Sequence, residues 1–249
     1  MGLKFSTLAL AVGAAALAVT SQANALVVPN FSFDNPAVPQ VSPFAIPGTG
    51  EWLQVAMPGY WPGIGQNAQT WAQNAGTFYN DQGIVDNLNG VQGAFFFDSP
   101  ENKIYQDLPY SYTLDRQYSV SFLAAGGGYN MLNGRQLVAE LYYVDGGNRI
   151  TVASTTLTHN DPDSPTLDPI THLESYSFQT PLVANGDAWL NKTMGIAFYT
   201  PSTLGDLFGG LAGGYWDIDN VQLTEVPEPA SLGILAVGAA GLLMRRRRV

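Results

Sequence analysis

The chain has 249 residues, of which 46% are hydrophobic and only 12% charged, with 27 glycines, 16 prolines and no cysteine. Its formal net charge is −10 at pH 7, a balance that repels nucleic acid and anionic lipid headgroups. Without cysteine there are no disulfides, no thiolate metal sites and no cysteine nucleophile.

The first 25 residues have the build of a signal peptide. Lys4 supplies the basic start, Leu8 to Val19 the apolar stretch, and Ala23-Asn24-Ala25 a small-residue cleavage site. Signal peptidase is expected to cut after Ala25, leaving Leu26 as the mature N-terminus. No cysteine follows, which excludes lipoprotein processing.

Residues 26–225 are long enough for one substantial domain. They carry nineteen acidic side chains against five basic ones, Lys103, Arg116, Arg135, Arg149 and Lys192, a net charge of −14. Helix formers are sparse, and Gly, Pro, Asn, Thr and aromatics are plentiful, which favours short strands joined by turns.

In chain order, strands are predicted over Gly93–Phe97, Lys103–Leu108 and Tyr118–Ala124, the last with Tyr118, Val120 and Phe122 on one face. Gln136 to Val144 alternates with Leu137, Ala139, Leu141 and Tyr143 on one side. Asp145-Gly-Gly-Asn148 reads as a hairpin turn, because glycine accepts positive φ at little cost, and Arg149 to Leu157 returns antiparallel. Further strands are predicted at Glu174–Thr180, Thr193–Tyr199 and Tyr215–Leu223. About eight strands with uneven connections predict an all-β, two-sheet antiparallel β-sandwich of jelly-roll type.

Val28-Pro-Asn-Phe-Ser-Phe-Asp-Asn-Pro36 opens this domain and Tyr215-Trp-Asp-Ile-Asp-Asn-Val-Gln-Leu223 closes it. With Ile104-Tyr-Gln-Asp-Leu108, Leu114 and Tyr118-Ser-Val-Ser-Phe122, they resemble segments of galactose-binding-like jelly rolls, among them many carbohydrate-binding modules. That resemblance implies one structural calcium ion held by Asp34 and Asp219, with Asp217 a further candidate. Calcium takes oxygen ligands in irregular geometry, and here it would tie the two ends of the domain together. The plain alternative is that Asp34 caps a turn and Asp219 hydrogen-bonds within a loop.

The tail, residues 226–249, reads as an address. Pro227-Glu228-Pro229 breaks the chain, residues 230–244 carry no charge, and Arg245, Arg246, Arg247 and Arg248 form a basic stop. Fifteen helical residues span roughly 22 Å, short of the ~30 Å hydrocarbon core. The arginine cluster stays on the cytoplasmic side of the inner membrane, so the domain lies outside. This order closely resembles the PEP-CTERM sorting signal of Gram-negative bacteria. The resemblance implies processing by exosortase, with Glu228 and its flanking prolines as substrate. It also implies a place at the cell envelope, surface or extracellular matrix, and an association with exopolysaccharide or biofilm.

Trp52, Tyr60, Trp61, Trp71 and Tyr79 lie among Gly, Pro, Asn and Gln between Gly48 and Gly83. Aromatic faces stack on sugar rings, which makes Trp61, Trp71, Tyr60 and Trp52 candidates for contact with an extracellular polysaccharide. The competing reading is that these rings pack a long irregular segment onto the sandwich. The run from His159 to Asp168, with His172 and Glu174 behind it, holds both histidines, but three prolines oppose convergence and a solvated acidic loop is expected. Gly126-Gly-Gly128 is followed by neither a helix nor a lysine and is not a phosphate cradle.

No G-x-S-x-G, H-E-x-x-H or nucleotide loop is present, and nothing selects a carboxylate pair of the kind glycosidases use. A non-enzymatic exported module is the expected class. A secreted glycan-active enzyme and a purely structural adhesin without sugar binding are the alternatives.

Overall fold

Two antiparallel sheets face each other in the computed structural model, which describes residues 23–35, 37, 44–45, 52–54, 75–80, 83–98, 102–127, 131–160, 170–201 and 214–227. The strands are β1 (Asn24–Leu26), β2 (Phe44–Ala45), β3 (Leu53–Gln54), β4 (Ala75–Tyr79), β5 (Val85–Asp86), β6 (Gln92–Phe97) and β7 (Lys103–Ser111), followed by β8 (Arg116–Gly126), β9 (Gln136–Asp145) and β10 (Asn148–Thr158). The last four are β11 (Thr171–His172), β12 (Glu174–Gln179), β13 (Thr193–Tyr199) and β14 (Tyr215–Pro227). One sheet runs β12-β8-β14-β6-β4-β2, with β1 added beside β14; the other runs β10-β9-β13-β7-β3. A short parallel pair, β5 with β11, stands apart from both. Residues 23–227 form one compact unit, and no helix occurs among the described residues. The expected membrane helix at 230–244 and the signal peptide to residue 22 lie outside them.

Alternation builds the interior. On β8, Tyr118, Val120, Phe122 and Ala124 turn inward and meet Leu137, Ala139, Leu141 and Tyr143 of β9 with Ile196 and Phe198 of β13. Ile104 and Leu108 of β7 join them, and Gln106 between them is buried too, its amide donating to the Pro29 carbonyl at 3.2 Å. The hairpin after β9 has Gly146 at φ 57° and Gly147 at φ 84°, the left-handed pair that a two-residue turn needs.

β14 contains a bulge that reverses which residues face inward. Asp219 pairs with Leu123 and Gln222 with Ser121, so one extra residue sits on β14. Before it, Trp216 and Ile218 enter the core; after it, Val221 and Leu223 do. Asn220 takes the required φ of 50°, a conformation asparagine tolerates better than most residues.

Two expectations change. Gly48–Gly83 is not irregular throughout, because β4 lies inside that span and pairs with both β6 and β2. Its residues Ala75 to Phe78 are all buried, since a second apolar cluster of Phe78, Val85, Phe95 and Leu173 covers the outer face of the sheet. A strand buried on both faces shows no period of two. On β9, Val138, Glu140 and Tyr142 are also buried, although they alternate with the core residues.

Gly195 of β13 lies directly under the Tyr142 ring, where an added Cβ would overlap the phenol carbons. Gly195→Ala is expected to cost about 1–3 kcal/mol by overpacking, read as a lower urea midpoint for the full chain. An unchanged midpoint would mean that the ring swings aside freely.

Candidate functional site

The described residues present three polar clusters. The first lines a cavity of about 270 Å³ at the open seam between the sheets, where edge strands β12 and β10 approach. Ala124 to Gly126 at the end of β8 and Trp216 of β14 line it together with Glu174 and Tyr176 of β12 and His172 of β11. Thr158, His159 and Asn160, at the end of β10, line it as well. Because Glu174 pairs with Ala124 and Tyr176 with Phe122, whose side chains are core, these two β12 side chains share the inward-facing side at the sheet edge.

His159 is 6% exposed and meets Trp216 edge-on, with ring centroids 6.5 Å apart. Trp216 Nε1 and His159 Nε2 are both buried with no hydrogen-bond partner. Indole N–H is a donor only, so it calls for an acceptor from water or ligand. Opposite in character, the Glu174 carboxylate accepts a 2.9 Å bond from the Tyr176 hydroxyl. Burial, reinforced by Glu174, pushes that hydroxyl up to about 12. His172 Nδ1 lies 2.7 Å from an Asp86 carboxylate oxygen. An added Cβ on Gly126 would stand 2.9 Å from Met131 Sδ and 3.0 Å from the Trp216 ring, so glycine is what lets the indole lie there.

His159 itself is buried, not solvated as the reading of its run as a loop expected. β10 ends and β11 begins at the same seam, so sheet pairing, not a helix face, brings both histidines to one cavity. Residues 161–169 lie outside the described residues. Nothing local in the sequence signals this floor, because Gly126 and Trp216 meet only through the pairing of β8 with β14.

The second cluster is an acidic corner. Asp34 accepts from the Ser32 hydroxyl at 2.8 Å, and both its carboxylate oxygens would stand 3.2 Å from a Cβ on Gly90. Asp219 is fully buried and accepts from the backbone N–H groups of Asn89 and Asn220. Burial pushes its carboxyl up to about 7, the nearby Asp34 charge adds to this, and the two N–H bonds oppose it. Asp217, two residues earlier, is 2% exposed and is raised well above the ordinary carboxylate range by burial alone. Among the described residues no cationic side chain pairs with Asp34 or Asp219. None of their acidic and histidine side chains forms a group of three able to hold a metal. Two like charges with oxygen donors suit a hard cation, but backbone carbonyls or water would have to complete the shell.

The third cluster lies on the outer face of the five-stranded sheet. Arg149 makes a two-pronged pair with Asp107 at 2.8 and 3.1 Å and lies 3.7 Å over the Tyr105 ring. Lys103 pairs with Glu140 and stands 5.0 Å over Tyr199. The protein's own cations therefore cap these aromatic faces.

Of the aromatic candidates, Trp52 is a core residue, 2% exposed. It stacks on Phe33 at 5.4 Å, and its Nε1 donates to the Asn30 carbonyl. Being closed to solvent, it cannot contact a polysaccharide. Tyr60, Trp61 and Trp71 lie outside the described residues, as do Glu228, Pro229 and Arg245 to Arg248. Ala23, Ala25 and Leu26 are described, Ala25 and Leu26 pairing with Thr224 and Leu223 of β14. Pro227 is the last residue of that strand.

Residues 225–248 match the family described as the PEP-CTERM protein-sorting motif. The motif marks an exported protein of the Gram-negative cell envelope that is processed by exosortase. No curated protein matches the chain. Among solved structures, a cyclase from Fischerella sp. TAU is 15% identical with a TM-score of 0.56, over 83% of this chain and 98% of that one. The module TmCBM61, in complex with β-1,4-galactotriose, is 12% identical with a TM-score of 0.41, over 79% and 95%. The K1 cleaved adhesin domain of Lys-gingipain from Porphyromonas gingivalis W83 is 12% identical with a TM-score of 0.43, over 81% and 97%. At 15% identity the likeness to the cyclase is one of fold.

A carboxyl raised by folding favours the protonated native state. Stability from Asp219 is thus fully present below about pH 4 and is lost as pH rises to about 7. In chelator-treated buffer, Asp219→Asn is expected to reduce that loss, measured as the melting temperature from pH 4 to 8. An identical pH profile in the variant would contradict the assignment.

Proposed function

We propose that this protein is a non-enzymatic module of the cell surface or extracellular matrix, associated with exopolysaccharide or biofilm, that holds neutral glycan at the seam cavity. The observation that carries this reading is that two residues with buried, unpartnered ring nitrogens and one carboxylate line the same cavity. Trp216 Nε1 and His159 Nε2 lack partners, and Glu174 offers carboxylate oxygen at the same cavity. A sugar hydroxyl both accepts and donates, so one polyhydroxylated ring answers both sides. An anionic sugar meets Glu174 and a domain of net charge −14, and a ligand with donors alone leaves the indole N–H unanswered. Trp61, Trp71 and Tyr60 stay proposed sugar contacts on their chemistry alone, as aromatic faces on which sugar rings stack. The outer sheet face is a poorer platform, since Arg149 and Lys103 already cover its rings.

Glycosidase chemistry draws on two carboxylates flanking the scissile bond. Among the described residues lining the cavity Glu174 is the only carboxylate, which favours retention over hydrolysis. We also propose one structural calcium ion at Asp34 and Asp219, whose facing charges it would neutralise.

Full-length protein in detergent is expected to be retarded by neutral polysaccharides in affinity electrophoresis. Glu174→Gln should weaken binding by about tenfold, the scale of one hydrogen bond to a charged group, with smaller losses for Trp61→Ala and Trp71→Ala. Reducing-sugar release should stay at background. Unhindered migration on every neutral polymer overturns the binding reading and leaves a structural adhesin, and sugar release establishes the enzyme.

For calcium, EDTA should lower the melting temperature by several degrees, as loss of a native-state ligand does. An unmoved melting curve together with no metal by elemental analysis removes Asp34 and Asp219.

A further inference from the structure

We propose that the edge of β14 at Thr224–Pro227 is the docking surface for an extended strand of the enzyme that reads the sorting motif, and that removal of the N-terminal leader opens it. The sorting motif does not begin on a spacer. Its matched region starts at Glu225, and Glu225, Val226 and Pro227 are the last three residues of β14, paired with Tyr118, Gln117 and Arg116 of β8. Arg116 also holds the Glu225 carboxylate at 3.3 Å.

The opposite edge of the same residues carries β1, with Asn24 against Glu225, Ala25 against Thr224 and Leu26 against Leu223. With the leader attached, the start of the sorting motif is thus hydrogen-bonded within a sheet on both sides. A protein that reads an extended segment by strand addition needs one open edge.

The expected leader cut falls inside β1. Water adds across the Ala25–Leu26 peptide bond, leaving a carboxylate on Ala25 and an ammonium on Leu26. Asn24 and Ala25 depart, and only Leu26 keeps its pairing. The new end is held short of the motif, because Leu26 packs on the core and the Val27 N–H donates to the Tyr110 hydroxyl at 3.0 Å. Thr224 to Pro227 then present one free edge in extended form, with β8 still fixing the other. Pro227 has no N–H, so the new strand pairs through Thr224–Val226. N-terminal trimming therefore precedes recognition at the C-terminus.

The test is a pulse–chase of the full chain in a Gram-negative host that makes exosortase, with both ends read by intact mass. Thr20→Ala, Gln22→Ala and Ala25→Val together move the leader cut to before Ala23, so that the mature chain keeps β1. Its tail should be lost about tenfold more slowly, the scale of two or three competing backbone hydrogen bonds. Adding Asn24→Pro to that variant abolishes the pairing and should restore the normal rate. Equal tail loss with β1 retained, no rescue by proline, or tail loss from chains that keep the whole leader would each overturn the proposal.

Discussion

The last strand organises this molecule. β14 pairs with β8 along its length, with β6 at its start and with β1 near its end. It also delivers one residue to each place of interest: Trp216 to the seam cavity, Asp219 to the acidic corner and Pro227 to the sorting motif. The bulge at Asn220 makes this arrangement work. A strand of strict period two, with Trp216 and Ile218 inward, would place Val221 and Leu223 outward; the extra residue turns them into the core. The fold, the two candidate ligand sites and the export address therefore share one backbone.

The sequence was informative wherever one face of a strand was left wet. β8 and β12 show alternation in the residues themselves, and the hairpin at Gly146–Gly147 carries its own turn chemistry. β4 was hidden for the opposite reason: its residues are buried on both faces, so Ala-Gly-Thr-Phe-Tyr offers no alternation. Trp52 looked like a surface ring in a loop because nothing local announces that Phe33 and Phe198, far off in sequence, close over it. The seam cavity was invisible for the same reason. His159 and Glu174 belong to edge strands of different sheets, and only the packing of those sheets brings them together. By contrast, the sorting motif was legible from the residues alone, since Pro227-Glu228-Pro229, an uncharged run and an arginine cluster stand in fixed order along the chain.

Charge and composition fit an extracytoplasmic life. Five basic side chains in the mature domain leave few opportunities for ion pairs, and all five are used: Lys103, Arg116, Arg135, Arg149 and Lys192 pair with Glu140, Glu225, Asp98, Asp107 and Asp145. Among the described carboxylates without a cationic partner, Asp217 and Asp219 are the buried ones, and there burial favours the neutral carboxyl. Without disulfides, cohesion comes from the aromatic and aliphatic interior, to which a cation at the Asp34–Asp219 corner would add a tie between the chain's two ends.

At the centre of this account stands a folded sandwich that runs without a spacer into its export address. Intact-mass measurement of the protein recovered from its own cells tests this most directly. The account predicts a chain that begins at Leu26 and ends at or beyond Pro227, so that the whole of β14 survives. A chain that keeps its leader, or one that ends before Val226 and so has lost part of the last strand, would contradict it.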